Sequence, residues 1–254
     1  VAGGGPVTRK QAGPGPAGDT ITYRQLGADG GAGAWRRPVP TALGLAAEDF
    51  AHRPVVAVDV DGVLNVLGGD RLVREPELRR YECHIPAACQ RPSPFRRGYG
   101  REDITVRLAL DPAHAGWIRA LHQRADVVWA TTWGHLANDL VGPLLGLPGP
   151  LPVVDLEDAP FSYLKSGDAM SAKASVLRDY AAGRPVVLVD DRPLDEWLTG
   201  DALDGRGHAV RTDPETGWTR DGLVAVERFL DWADAAGPGE RYRPQRGRRR
   251  GRGR

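Results

Sequence analysis

The run VVAVDVDGVLN, from Val55 to Asn65, ends an apolar stretch with two carboxylates, Asp59 and Asp61, followed at once by Gly62. A buried carboxylate costs several kcal/mol unless it is paired or ligated, so this spacing demands partners. Three other segments offer them: Thr131 and Thr132 in VVWATTW, Lys173 in SAKASVLRDY, and Asp190 with Asp191 in VVLVDDRP. Taken singly, each has an ordinary explanation. An Asp after a strand commonly turns or caps the chain, and Thr is a common strand residue. Taken together, they fall where a parallel sheet gathers its ligands, beyond the carboxyl ends of the strands. Four carboxylates at one edge repel one another unless a cation lies among them, and hard oxygen donors suit Mg²⁺. Asp59, Asp61, Asp190 and Asp191 are therefore the candidate metal residues.

With a divalent ion bound, Asp59 is ionised and placed to attack an electrophile. Asp61, two residues on and turned by Gly62, can reach a leaving-group oxygen as general acid. A threonine hydroxyl, from Thr131 or its rival Thr132, and the Lys173 ammonium donate to charge developing on the transferred group. Such a set suits phosphoryl transfer to an aspartate. The chain has only three lysines, Lys10, Lys165 and Lys173, among 34 basic residues, so a lysine marks a place where a compact point charge is wanted. Lys165, in the loop-like stretch FSYLKSGD, is the alternative to Lys173.

Alternating strand-like and helix-like stretches must position these groups, which predicts an α/β fold built on a mainly parallel sheet. Five short β-branched runs read as its strands: residues 54–60, 126–131, 151–156, 184–190 and 208–212. Asp111 with Pro112 opens a helix through Leu121, Ser171 caps the helix that carries Lys173 and Gly183 ends it, and Thr219 opens a final amphipathic helix ending near Ala236. Residues 66–104 break the alternation. They are polar and rich in Arg and Pro, too long for an ordinary connection, and read as a flap or lid, part of it a small hairpin around ITVRLAL.

Composition sets the outer limits. Residues 1–40 hold ten Gly and five Pro, which predicts a flexible leader over 1–47, an ordered domain over 48–236 and a disordered tail over 237–254. That tail includes RYRPQRGRRRGRGR, with eight Arg and no acid. The remaining chain then carries 34 − 8 = 26 basic against 33 acidic residues. An acidic body with a basic tail suits attachment to RNA or single-stranded nucleic acid. No stretch reaches the roughly 18 to 20 apolar residues of a membrane span, and no signal-peptide layout opens the sequence, so a cytoplasmic protein is expected. Cys83 and Cys89, with His84, lack the usual zinc spacing and read as reduced thiols.

The motifs DVDGVLN, VVWATTW, a lysine at a helix start and VVLVDDRP, in that order, resemble those of the haloacid-dehalogenase-like (HAD) hydrolase superfamily over about residues 53–233. WATTWGHLAN, VVLVDDRP and DPETGWT are more similar still to uncharacterised actinobacterial proteins of that kind, related in motif to HAD domains associated with RNA repair. The resemblance implies a Rossmann-like five-stranded parallel sheet flanked by helices, with Asp59 as phosphate-accepting nucleophile and Asp61 as acid/base. It further implies Mg²⁺ held by Asp59, the backbone carbonyl of Asp61 and one of Asp190 and Asp191. An Asp at the acid position implies phosphate-ester hydrolysis, and the short insertion implies a nearly capless domain open to large substrates. A nucleic-acid 3′-phosphate end and a small phosphorylated metabolite are both expected substrates. Trp133 and His135 could line the entrance, where Trp133 would either stack on a base or sugar or be buried in packing, and Arg192, with Arg96, Arg97 and Arg101 of the flap, could contact a polyanion. The competing expectation is an RNA-binding or scaffolding protein with a vestigial site and a functional Arg-rich tail.

Overall fold

The computed structural model describes residues 20–26, 32–35, 52–68, 78–90, 95, 101–237 and 239–244. Its strands are β1 (Ile21–Leu26), β2 (Ala32–Trp35), β3 (Val55–Val58), β4 (Arg79–Ile85), β5 (Ile104–Leu110), β6 (Asp126–Trp129), β7 (Val186–Asp190) and β8 (Gly207–Arg211). The α-helices are α1 (Ala113–His122), α2 (Gly142–Leu145), α3 (Phe161–Ser166), α4 (Ala169–Ala181), α5 (Asp195–Leu198) and α6 (Arg220–Ala235).

All four residues of β3 are buried, which is why the run is continuously apolar: a parallel strand covered on both faces has no solvent side. It pairs in parallel with β6 and β7, and β7 pairs with β8, giving the order β6-β3-β7-β8. Successive side chains then serve opposite layers. Val56 and Val58 join Val127, Trp129, Val187 and Val189 in a core with Ile118 and Leu121 of α1 and Val226, Phe229 and Leu230 of α6. Val55 and Ala57 join Val128, Val186 and Leu188 against Ala172, Val176 and Leu177 of α4 and Trp197 of α5. The chain is thus α/β and loosely Rossmann-like, with helices on both faces of a parallel sheet.

The fifth expected strand, residues 151–156, is reduced to one parallel bridge between Val153 and Trp129. Pro152 accepts from Trp129 N–H through its carbonyl but has no N–H to return to a ladder. Two residues past Val153, the Asp155 carboxylate accepts from Glu157 N–H and turns the chain into a 3-10 segment. The parallel sheet therefore has four strands among the described residues.

A second sheet was not expected at this size. β4 and β5 pair antiparallel along their full length, from Arg79 opposite Leu110 to Ile85 opposite Ile104, and β1 and β2 extend them to the order β2-β1-β4-β5. The flap segment thus supplies β4, which pairs with β5 just beyond it, and part of the expected flexible leader forms β1 and β2. Averaging Gly and Pro over residues 1–40 hides the alternating ITYRQL, whose Ile21 is buried and whose Tyr23 ring packs edge-on to Tyr81. The leader's residues 1–19 and the flap residues Arg96 and Arg97 lie outside the described residues.

Two ends also differ from expectation. The tail is expected to leave the body at 237, yet Tyr242 N–H donates to Gly205 C=O at 2.7 Å, and its ring packs on His208, Phe229 and Trp232. Residues 245–254, with the rest of the Arg-rich run, lie outside the described residues. FSYLKSGD is the helix α3 rather than a loop, closed by Gly167 at a φ of 72°, where glycine carries no Cβ penalty. No helix among the described residues is long and apolar enough to cross a membrane.

Candidate active site

Adjacent central strands deliver the two most buried acids. Asp59 follows β3 and stays in register, its N–H donating to Val189 C=O at 3.0 Å; Asp190 is the last residue of β7. Asp59 is 8% exposed and Asp190 0%. Asp191 follows immediately, and one carboxylate oxygen from each of Asp59, Asp190 and Asp191 lies within 4.8 Å of the others. These three form the one group of candidate metal-holding side chains among the described residues. Acids 131 positions apart meet because their strands are neighbours in the sheet.

Lys173 completes the arrangement. Its ammonium donates to Asp59 Oδ2 at 2.9 Å and also to Asp190 Oδ2, with the side chain only 1% exposed. Burial alone lowers an ammonium's pKa, but here the Asp59 and Asp190 carboxylates outweigh it and hold Lys173 above its ordinary value. The helix that carries it starts earlier than expected. Asp168, not Ser171, caps α4 by accepting from Ser171 N–H at 3.0 Å, so Lys173 occupies the second turn. Lys165, by contrast, is exposed on α3. Of the two candidate lysines, Lys173 is the one that meets the acids.

Three carboxylates against one ammonium leave a formal charge of −2 in this group. Burial, then repulsion between neighbouring acids, pushes the Asp190 and Asp191 carboxyls above the usual carboxylate range. A divalent cation matches that deficit, and an all-carboxylate donor set suits a hard ion such as Mg²⁺, Mn²⁺ or Ca²⁺. The residues fit such an ion without choosing among these three.

Gly62 is indispensable to the approach of Asp191. It sits at a φ of 72°, and a Cβ there would lie 2.8 Å from Asp191 Cγ. Thr212 Oγ1 donates to Gly62 C=O at 2.7 Å, and Trp218 N–H donates to Val63 C=O at 2.8 Å. The segment DPETGWT therefore braces the first loop. Gly217 permits it: a Cβ at that position would stand 2.6 Å from Val63 O. The sequence gives Thr212, at the end of the 208–212 run, and Gly217, inside DPETGWT, no visible role, since their partners are about 150 residues away.

Asp61 stands apart from the metal candidates. Its Oδ1 accepts from Asn65 Nδ2 at 3.0 Å and its Oδ2 from Trp133 Nε1 at 2.9 Å. Its carboxylate is thus hydrogen-bonded beside the group rather than among the three that meet within 4.8 Å, and what Asp61 would offer an ion is the backbone carbonyl that the resemblance implies. Of the two places open to Trp133, stacking at the entrance or buried packing, the structure shows the buried one: it is 5% exposed and gives its indole N–H to Asp61. Thr131 is buried just beyond β6, and its Oγ1 accepts from Trp133 N–H at 3.3 Å. Thr131, Thr132, Trp133 and His135 line a small cleft with Cys89, Asp155 and Glu157. His135 Nε2 is 3.8 Å from Asp155 Oδ2. Arg192 contributes through its backbone, its N–H donating to Asp190 Oδ1 at 2.7 Å, while its side chain is exposed; Arg101 is exposed as well.

Among the described residues neither Cys83 nor Cys89 is in a disulfide or in a group of candidate metal-holding side chains; burial pushes the Cys83 thiol up to about 12, and His84 lies 3.5 Å from Asp103 on the surface. Comparison with known proteins finds no match: no protein-family model, no curated protein and no solved structure is similar to this chain.

Proposed function

We propose that this protein is a divalent-cation-dependent phosphatase that cleaves phosphate monoesters through an aspartyl-phosphate on Asp59. The observation that carries the reading is the buried bridge from Asp59 through Lys173 to Asp190, with Asp191 beside it. A purely structural core has no use for three converging acids, because replacing a buried ionic group with apolar residues is commonly neutral or stabilising. Mg²⁺ held by Asp59, Asp190 and Asp191 would supply Lewis-acid neutralisation of the phosphoryl oxygens.

The chain's own residues account for the remaining chemistry. Val60 N–H donates to Asp59 Oδ1 at 2.7 Å and Lys173 to Oδ2, which fixes the carboxylate's direction. An Asp59 oxygen attacks phosphorus, the bond from phosphorus to the ester oxygen breaks, and Asp61 gives its proton to the departing alcohol. Asp61 then takes a proton from water. The resulting hydroxide attacks phosphorus, releasing inorganic phosphate and restoring Asp59. Lys173 and the Thr131 or Thr132 hydroxyl offer positive charge and donors to the transferred group.

Hydrolysis of 4-nitrophenyl phosphate with and without Mg²⁺ tests this directly. Asp59→Asn should lower the rate at least about 1,000-fold, the scale seen when a nucleophile is lost. Equal activity in the variant and the parent protein refutes the proposal. A panel of 3′- and 5′-phosphorylated oligonucleotides and small phosphorylated metabolites then identifies the substrate class.

A further inference from the structure

Asp61 is held by two residues that come from different parts of the fold. Asn65 lies four residues on, in the same loop; it is 4% exposed, and its backbone closes that loop through Gly62 N–H donating to Asn65 C=O at 2.9 Å. Its side chain works in two directions. Nδ2 donates to Asp61 Oδ1, while Oδ1 accepts from Ala109 N–H at 3.0 Å in β5 of the antiparallel sheet. Trp133 enters from beyond β6, gives its indole N–H to Asp61 Oδ2, and gives its backbone N–H to Thr131 Oγ1. Each carboxylate oxygen therefore has one donor from a buried side chain anchored elsewhere.

We infer that Trp133 and Asn65 are positioning residues that fix the Asp61 carboxylate as the proton donor to the leaving group. The inference rests on the phosphatase reading. Two donors on opposite oxygens define the plane of the carboxylate and stop rotation about its last torsion. Proton transfer depends on such placement: an error near 1 Å costs about 100-fold in rate. The antiparallel sheet thereby acquires a role in the chemistry, because Ala109 orients Asn65 and Asn65 orients Asp61.

The test exploits the fact that a good leaving group needs little help from an acid, whereas a basic one needs much. Steady-state kinetics would compare 4-nitrophenyl, phenyl and simple alkyl phosphates in the parent protein, Trp133→Phe and Asn65→Asp. Trp133→Phe keeps the ring and removes the donor; Asn65→Asp keeps the acceptor for Ala109 N–H and removes the donor to Asp61. Each variant should lose roughly 10- to 100-fold in kcat on the alkyl ester and under about 3-fold on 4-nitrophenyl phosphate, with KM within about 2-fold on both. If Trp133→Phe fails to fold, Asn65→Asp carries the same comparison. An equal loss on every leaving group, or a loss confined to KM, overturns the positioning role while leaving the phosphatase reading intact. A parent protein inactive on the whole series overturns that reading, and the inference with it.

Discussion

Lys173→Met replaces a buried ammonium by an uncharged side chain of similar length, and its consequence can be worked from the site. The contact to Asp59 at 2.9 Å is worth about 6 kcal/mol of gross Coulomb attraction at an effective dielectric of 20. Desolvation of the ammonium offsets part of this. What remains after its removal is a pair of buried acids with no counter-charge, and breaking a buried pair in this way costs about 3 to 5 kcal/mol. Urea unfolding in EDTA reads that loss directly. At a slope of roughly 2 to 3 kcal/mol per molar, the midpoint should fall by 1 to 2 M. Saturating Mg²⁺ should then stabilise the variant more than the parent protein, since the acids it meets have lost the Lys173 ammonium. Adding Asp190→Asn to Lys173→Met should recover part of the loss by deleting one unpaired carboxylate. A loss below about 1 kcal/mol in EDTA, or an equal Mg²⁺ increment in both proteins, would refute this account of the site.

Two other consequences follow from local geometry. Gly62→Ala places a Cβ against the Asp191 carboxylate at a positive φ, so it should cost about 1 to 2 kcal/mol and shrink the Mg²⁺-induced rise in melting temperature; an unchanged rise would show that Asp191 does not hold the ion. Burial lowers His208 to about 4 from an ordinary 6.5, so the folded form binds fewer protons than the unfolded one between those values. Its stabilising share is intact above 6.5 and is lost as the pH falls toward 4. The buried ring stacks on Phe229, which makes His208→Phe a fitting control. Between pH 7 and 4.5 the parent should lose roughly 2 kcal/mol more than that variant, measured by denaturant melts at each pH; parallel losses would contradict the assignment.

The clustering of Asp59, Asp190, Asp191 and Lys173 was legible in the sequence because each ends or abuts an apolar run, and parallel strands must present their carboxyl ends on one edge. Register did the rest: Val58 opposite Val189 puts Asp59 beside Asp190. The partners of Asp61 were less legible. Asn65 was inside the quoted motif, but an Asn in a loop reads as a turn residue, and only the course of β5 shows that its other end meets Ala109. Trp133 read as an entrance residue because an aromatic next to a site suggests stacking; its burial and its indole donor direction belong to packing.

The sequence by itself determined which acids and which lysine are candidates for chemistry and that a parallel α/β sheet presents them, because hydrophobic runs, capping residues and the order of motifs are local properties of the chain. Tertiary structure alone decided that the fifth strand shrinks to a single bridge, that segments from the leader and the flap join in a second sheet, and that Asp61 is separated from the metal candidates. Each of these depends on contacts between residues tens of positions apart. Their energies are set by mutual placement, which no local pattern records.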